Sequence, residues 1–578
     1  MERSTARIAL LLDQIESDYQ LDVIIGVRRV FARIGARLVV VAGGRLGLEG
    51  EPQERNFVYE YLREGRVDGL IVLSGSLGNV AGTGAVKRLI EDFKHIPTLT
   101  LGVAIEGVPG VTVDNRSGMA RLVRHMVEVH GARRLSFVAG PRGSAEATAR
   151  FEGFCEALQG AGLELREEWM LPGGFMRDDG INAVESLLVS RGIRPGSVDV
   201  LVCVNDESAF GAMEALHKRG IAVPRPLSVI GFDDAPGAQL ANPPLTTISQ
   251  RVMDQAEAAA SILVDYLERG VPLVSKVLEA SLVVRDSCGC RSHAVNDSSD
   301  LRFERPKIAR SLRLALIERR SNIVPELTRA ARGRMTGVQD WEGRLIDSLS
   351  AQLDSGEGGA FYWELERVTR MHAVGGGDPI VCHDVLTELR LQTLVCSEVE
   401  PKLRPRLEDI FQEGRVILAR VGSSVVREHT EALSTRMYSL THGCLSQVGR
   451  PDVARLAEML SEQLPLLGIQ SYCVARLGPG GQELIVIASG ASVAAGLRTP
   501  VGTRLPLKSL GQDGILERAG TSLCFPLAYQ GHRLGTLNFS WGAVDPHCYE
   551  EIRALLGLAL FAIEQAGPPG VRPTLAPP

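Results

Sequence analysis

The sequence predicts an α/β fold over its first half, arranged as two lobes, followed by a helical segment and a smaller α+β domain. Three observations predict it. Short apolar runs alternate with amphipathic stretches from residue 7 to 285, and runs of four to six apolar residues mark strands buried on both faces. That alternation implies parallel sheets with right-handed crossovers, and it runs too long for one doubly wound sheet. The pattern then changes twice, with no clear strands over 301–440 and hairpin-like strands between helices over 452–565.

In order, strands are expected at Ile8–Leu12, Leu38–Val41, Leu70–Leu73, Thr98–Leu101, Leu135–Ala139, Val200–Val204 and Ser228–Phe232. Helices between them are expected at Asp22–Ile34, Met119–Val129, Ala147–Leu158 and Glu207–Arg219. Residues 286–300, rich in Ser, Asp and Asn, break the pattern and read as a linker. Ser311–Arg320, Trp363–His372, Asp384–Val395 and Leu407–Val426 read as helices, with loops at the glycines 356, 358, 359 and 375–377. Leu433, Met437, Leu440 and Cys444 recur at spacings of four, three and four. A short coiled-coil seam and the buried face of a monomeric bundle both explain that spacing. Helix Asp452–Leu464, strands Ser471–Leu477 and Leu484–Ala488, a hairpin of Leu523–Leu527 and Gly535–Ser540 about Gln530-Gly531, and a closing helix Tyr549–Glu564 make the α+β domain. The Pro-rich tail after Gly567 is expected to be disordered. The expected domains are therefore 1–285, a linker 286–300, a helical connector 301–450, the α+β domain 451–566 and the tail 567–578.

A chain of 578 residues suggests three or four units at ~150 residues each. The net charge of −6 argues against a sequence-blind nucleic-acid surface, which needs clustered Lys and Arg. The longest apolar stretches fall short of the ~20 residues that span a bilayer, and no secretion signal is visible at the N-terminus. Ten scattered cysteines suit a reducing cytoplasm better than a disulfide scaffold.

Six phrases resemble the lactose-repressor/galactose-repressor (LacI/GalR) family, whose sensor is periplasmic-binding-protein-like. Val113-Asp114-Asn115-Arg116-Ser117-Gly118 resembles its crossover into the second lobe, and His130-Gly131-Ala132-Arg133-Arg134-Leu135-Ser136-Phe137-Val138-Ala139-Gly140-Pro141 resembles "GHRRIAFIAGP". Thr148 to Phe154 resembles "xxRxxGF", Val204-Asn205-Asp206 resembles "xND", Leu227 to Asp234 resembles "lSVIGFDD", and Pro244 to Ile248 resembles "PPLTTI". The resemblance implies that Arg150, Asn205 and Asp233 contact a small-molecule effector, that Phe175 packs a ring against it, and that Tyr19, in the first strand-helix loop, joins them. The chemistry suits a polar ligand. Arg150 offers a fork of donors, Asp233 two acceptors for vicinal hydroxyls, and Asn205 both functions. Simpler readings stand beside this one. Asn205 or Asp206 caps the following helix, Asp233-Asp234 forms a turn, and Arg150 pairs with Glu146 one helical turn away. Members of this family carry a DNA-reading headpiece before the first strand, whereas six residues precede it here. The expectation is a sensor that reports to something other than DNA.

Residues 452–565 resemble a GAF domain, through Phe525-Pro526-Leu527, Leu534-Gly535-Thr536-Leu537 and the closing helix. The Asn-Lys-Phe-Asp-Glu signature of its nucleotide-binding members is not visible, so a packing or dimerisation role is expected. The layout resembles bacterial signalling proteins that end in a diguanylate cyclase or a histidine kinase. Gly375-Gly376-Gly377-Asp378-Pro379 echoes a cyclase loop, but Pro stands where an acidic metal ligand is needed. His383 and His442 have helical surroundings, yet no glycine-rich nucleotide-binding domain follows. Cys288, Cys290 and His293 offer three metal ligands without an evident fourth, and read as a linker with incidental thiols. No catalytic site, metal or cofactor is expected.

The function expected is a cytoplasmic, ligand-responsive bacterial regulator. It binds a small polar molecule, sugar-like or nucleobase-like, between two lobes and passes lobe closure to a partner protein. The expected partners are the effector, a second copy of the chain as a homodimer and a downstream protein, with no direct nucleic acid and no membrane. Two alternatives are a transcription regulator acting at DNA through a partner and, after it, an enzyme of unrecognised type.

Overall fold

The computed structural model describes residues 6–47, 50, 54–62, 67–194, 196–290, 311–331, 335, 338–355, 359–374, 377, 379–469, 471–490, 499–507, 520–541 and 546–566. The tail after Gly567, residues 291–300 of the expected linker and the glycines 356, 358, 375 and 376 lie outside them. The chain divides into two compact units, Met1–Ser292 with Ser439–Pro578, and His293–Tyr438.

The first lobe is built on β1 (Arg7–Leu12), β2 (Arg37–Ala42), β3 (Gly69–Leu73), β4 (Thr98–Gly102) and β5 (Gly110–Val113), with helices α1 (Asp18–Arg33), α2 (Phe57–Leu62) and α3 (Gly82–Glu91) between strands. Every residue of β1 after Arg7, of β2 after Arg37, and of β3 and β4 is buried, as strands covered on both faces require. The second lobe begins with α4 (Asn115–His130) and carries β6 (Leu135–Val138), α5 (Ala145–Gly160), β7 (Met170–Leu171), α6 (Arg177–Glu185), β8 (Val200–Cys203), α7 (Asp206–Lys218) and β9 (Ser228–Ile230). Its sheet is parallel in the order β7-β6-β8-β9. The "xxRxxGF" phrase has a packing reason. A Cβ on Gly153 would stand 2.1 Å from the Arg116 carbonyl oxygen, so glycine lets α5 lie close on α4.

The chain then returns through β10 (Thr247–Ser249) to α8 (Val252–Arg269) and β11 (Lys276–Leu278), which joins the first sheet beside β5, before β12 (Ser281–Val283) pairs antiparallel with β10. Three segments thus cross between the lobes, after β5, after β10 and between β11 and β12. The Asp114 N–H donates to the Leu278 carbonyl at 2.9 Å and Arg121 to the Ala280 carbonyl at 2.9 Å, tying two of them together. Strand β9 stops at Ile230, two residues short of expectation, and beyond it the Gly231 and Asp233 N–H groups donate instead to the Thr246 and Ile248 carbonyls. The packed fold continues past 285. Ser287 is fully buried, accepts from the Thr246 N–H at 2.8 Å and donates to the Val229 carbonyl at 2.6 Å. The start of the expected linker is therefore part of the second lobe.

In the second unit the described residues form helices and no strands: α9 (Leu312–Glu318), capped by Ser311, α10 (Arg320–Ala330), α11 (Trp341–Ser355), α12 (Ala360–Val374), α13 (Ile380–Cys396) and, as far as Tyr438, α14 (Arg404–Gly449). Leu316, Ile323, Leu349, Phe361, Leu389 and Phe411 are among its core. Two expected segments, Leu407–Val426 and the seam 433–448, belong to the one helix α14. Leu440 and Cys444 are buried, and Gly443 lies against Met459 of α15 (Val453–Leu466), so packing within the chain accounts for this part of the seam.

The C-terminal α+β part continues with β13 (Tyr472–Leu477), β14 (Glu483–Gly490), β15 (Arg504–Pro506), β16 (Thr521–Tyr529), β17 (His532–Ser540) and α16 (Pro546–Gln565). Its strands are antiparallel in the order β16-β17-β13-β14-β15. Gln530 and Gly531, at φ 47° and 83°, make the hairpin turn with two positive φ values that matches strand twist. This part is not separate from the first lobe. Strand β16 pairs in parallel with β2, Thr521 opposite Leu38 through Cys524 opposite Val41, giving one sheet of eleven strands. Val39 and Val41 share a core with Leu484, Val486 and Cys524. Beside it, Glu550 accepts from Arg55 at 2.7 Å and from Arg553 at 2.6 Å, all three side chains being nearly inaccessible. No helix among the described residues is long and apolar enough to cross a membrane.

Candidate functional site

A cavity of about 310 Å³ opens between the two lobes, lined by Tyr19, Ser76, Asn79, Glu146, Arg150, Phe175, Asn205, Asp233 and Gln250 among others. The elements that carry these residues explain why they meet. Tyr19 opens α1 after β1, Phe175 follows β7, Asn205 follows β8, Asp233 follows β9, and Arg150 lies in the second turn of the helix after β6. Parallel sheets gather ligands at the carboxyl ends of their strands, and here two such ends face one gap.

Arg150 is 2% exposed. Its Nε donates to Asn115 Oδ1 at 2.8 Å, its Nη1 to the Val204 carbonyl at 2.9 Å, and its Nη2 lies 3.2 Å from Asp233 Oδ1. The guanidinium also stacks over the Phe232 ring at 4.0 Å. The partner is therefore Asp233 and not Glu146. The fork expected to face the ligand is largely committed to the protein, where it orients the carboxylate. The Asp233 side chain is 30% exposed, against 3% for Arg150, and accepts from Gln250 Nε2 at 2.5 Å. Its φ of +127° and the +59° of Asp234 make the turn that aims it into the gap.

For Asn205 the capping reading and the cavity reading coexist. Oδ1 accepts from the Ser208 N–H at 3.0 Å, capping α7, while Nδ2 donates to the Phe175 carbonyl at 3.0 Å and so fixes the ring's loop. Burial, then the charges of Glu146, Asp233 and Asp13, hold the Tyr19 phenol above its ordinary value, so it stays a neutral donor and acceptor. A Cβ on Gly102 would stand 3.1 Å from that hydroxyl. Sequence reasoning did not single out Ser76, Asn79 or Gln250. Ser76 and Asn79 follow the end of β3 and Gln250 follows the "PPLTTI" phrase, which is the signal that points to them.

The lining is acidic. Among the described lining residues, Asp22, Glu146, Glu207, Asp233 and Asp234 stand against one cation, Arg150. Burial, and then Asp233, raise the Glu146 carboxyl, while Arg150 opposes the rise. This balance disfavours an anionic guest and suits hydroxyl or amide donors.

Residues 123–288 match the family model of the periplasmic binding protein-like domain. That stretch is a periplasmic-binding-protein-like domain. Among curated relatives, the HTH-type transcriptional repressor PurR of Haemophilus influenzae strain PittEE is 27% identical over 289 residues, 49% of this chain and 82% of its own. The HTH-type transcriptional regulator CelR of Thermobifida fusca is 29% identical over 296 residues, again 49% and 82%. A solved transcriptional regulator CelR–cellobiose complex is 28% identical, covers 49% of this chain and 85% of its own, and superposes with a TM-score of 0.42. Within the matched periplasmic-binding-protein-like domain lie Arg150, Phe175, Asn205 and Asp233; Tyr19 precedes it.

Behind the cavity in this domain, Asp206 is fully buried, with Thr247 Oγ1 donating to Oδ1 at 2.6 Å and the Ala235 N–H to Oδ2 at 2.8 Å. Burial and the neighbouring Asp233 push its carboxyl up to about 8, against those two hydrogen bonds. A folded-state value raised this way contributes stability that is complete below the unfolded value and is lost as pH rises through the folded one. Stability should therefore fall between roughly pH 4 and pH 8, by up to about 1.4 kcal/mol per pH unit. In Asp206→Asn, whose amide oxygen can accept from the Ala235 N–H while its amide N–H donates to Thr247 Oγ1, the part of this loss due to Asp206 should vanish. Parallel urea titrations of the two proteins across that window check it; identical pH profiles would refute the protonated carboxyl.

Proposed function

We propose that this chain is a ligand-responsive transcription regulator whose sensor takes a small, neutral, hydroxyl-rich molecule between its two lobes. The observation that carries this reading is the acid-rich cavity of about 310 Å³ to which both lobes contribute, at the low end of the ~300–1,000 Å³ usual for small-molecule sites. Asp233, held by Arg150 and Gln250, serves as acceptor for paired hydroxyls, Asn205 and Tyr19 as mixed partners, and Phe175 as the apolar face. A ligand bridging the lobes favours closure about the three crossing segments, by as much as its affinity for the closed state exceeds that for the open one. Transcription regulation as the output fits relatives named as transcriptional regulators better than signalling to an unrelated partner does, and it gives no support to an enzymatic role.

One observation favours a second reading, in which closure is passed to another protein. The C-terminal α+β part, here read as GAF-like, continues the first lobe's sheet through β2 and β16. Movement of that lobe then moves the C-terminal part with it. Native mass spectrometry of the purified chain should reveal a copurified neutral polyol or sugar that raises the melting temperature when added back. A mass equal to the bare polypeptide, with no stabilisation by a panel of mono- and disaccharides, would overturn the sensor reading. Affinity capture that brings down a helix-turn-helix protein supports the first output, and capture of a protein without one supports the second.

A further inference from the structure

Four metal-ligating side chains meet at the opposite end of the second lobe from the cavity walls' carboxylates: His125 and His130 on α4, and Cys288 and Cys290 from the segment that follows β12. Their ligand atoms all lie within 4.8 Å of one another. Cys290 Sγ is 3.3 Å from His130 Nε2 and 3.7 Å from His125 Nε2. Tetrahedral zinc with bonds of about 2.3 Å to sulfur and about 2.0 Å to nitrogen has ligand–ligand edges of roughly 3.3 to 3.8 Å. Two contacts already have that length, and small side-chain rotations close the rest.

We propose that these four residues form a structural Cys2His2 zinc site. By local spacing Cys288 and Cys290 read as incidental thiols, with His293 as a third ligand nearby; His293 lies outside the described residues. The two histidines come instead from a helix about 160 positions earlier in the chain, which local spacing does not reveal. The backbone is shaped for the task. Gly289 sits at φ +105° between the cysteines, with the His130 ring 3.5 Å from where its Cβ would be, so both thiols turn toward the same imidazole. The Cys290 N–H donates to Cys288 Sγ at 3.4 Å, a hydrogen bond that supports a thiolate ligand. Neither thiol is in a disulfide. The chemistry balances in charge as well. Two thiolates neutralise one Zn²⁺ and two neutral imidazoles complete the shell, so the site carries no net charge into a pocket where Cys288 is 2% exposed. Binding releases the two thiol protons to solvent. The zinc would pin the last described residues of the sensor to α4.

The test is metal analysis of the full-length chain, purified without a histidine tag from zinc-supplemented medium. The expected result is one zinc per chain, falling to background in Cys290→Ser and in His130→Ala, with a melting temperature several degrees lower after chelation. If either variant fails to fold, cobalt substitution of the wild-type chain replaces it. Intense visible bands with a thiolate-to-cobalt charge-transfer band support the site. Background zinc in the wild type, an unchanged zinc content in folded variants, or a cobalt spectrum of octahedral, thiolate-free type would each overturn it.

Discussion

Asp233→Ala is expected to abolish ligand-induced thermal stabilisation and to lower the unfolding free energy by about 3 kcal/mol, because it strands a buried guanidinium. Arg150 has three partners in the wild type, and only Asp233 carries the compensating charge. Its burial leaves water no route to replace that charge. The same carboxylate is the group of the pair that faces the cavity, so one substitution removes both the acceptor and the support. Urea unfolding measures the first effect and a melting series with the copurified ligand measures the second. Retained ligand stabilisation together with a loss below about 1 kcal/mol would show that Asp233 neither binds nor balances Arg150.

Glu550→Ala should cost still more, about 3–5 kcal/mol, by removing the buried carboxylate to which two buried guanidinium groups donate. Arg55 comes from the first lobe and Arg553 from α16, and both donate to this one carboxylate. Glu550→Gln keeps the shape but not the charge and should recover only part of the loss. Since β16 and β2 share a ladder and a core, the loss should appear as unfolding of the first lobe together with the C-terminal part in one transition. Two separate calorimetric transitions, or an unchanged midpoint for Glu550→Ala, would rule out this coupling.

Local pattern made much of the fold legible. Strands such as Ile8–Leu12 and Val200–Val204 are apolar on both faces, and that signature is independent of partner. Helices betrayed themselves by amphipathic spacing. Short, half-exposed strands were silent. Strand β11 has two exposed residues out of three, so no apolar run marks it. In the cavity, the phrases that carry Arg150, Asn205 and Asp233 were readable, but the partner of Arg150 was not. A helical neighbour four residues away and an aspartate 83 positions away compete on equal chemical terms until the turn at Asp233 is built.

The sequence by itself determined the long apolar strands of the sensor's two sheets, the amphipathic helices between them and the polar residues that end those strands, because each follows from near-neighbour periodicity. Only tertiary structure decided that β16 extends the first lobe's sheet, that Glu550 bridges to Arg55 and that His125 and His130 reach Cys288 and Cys290. Those pairings join segments about 160 to 495 residues apart through generic backbone hydrogen bonds, charges and ligand atoms. Such groups carry no address in the local sequence; the folded chain alone chooses their partners.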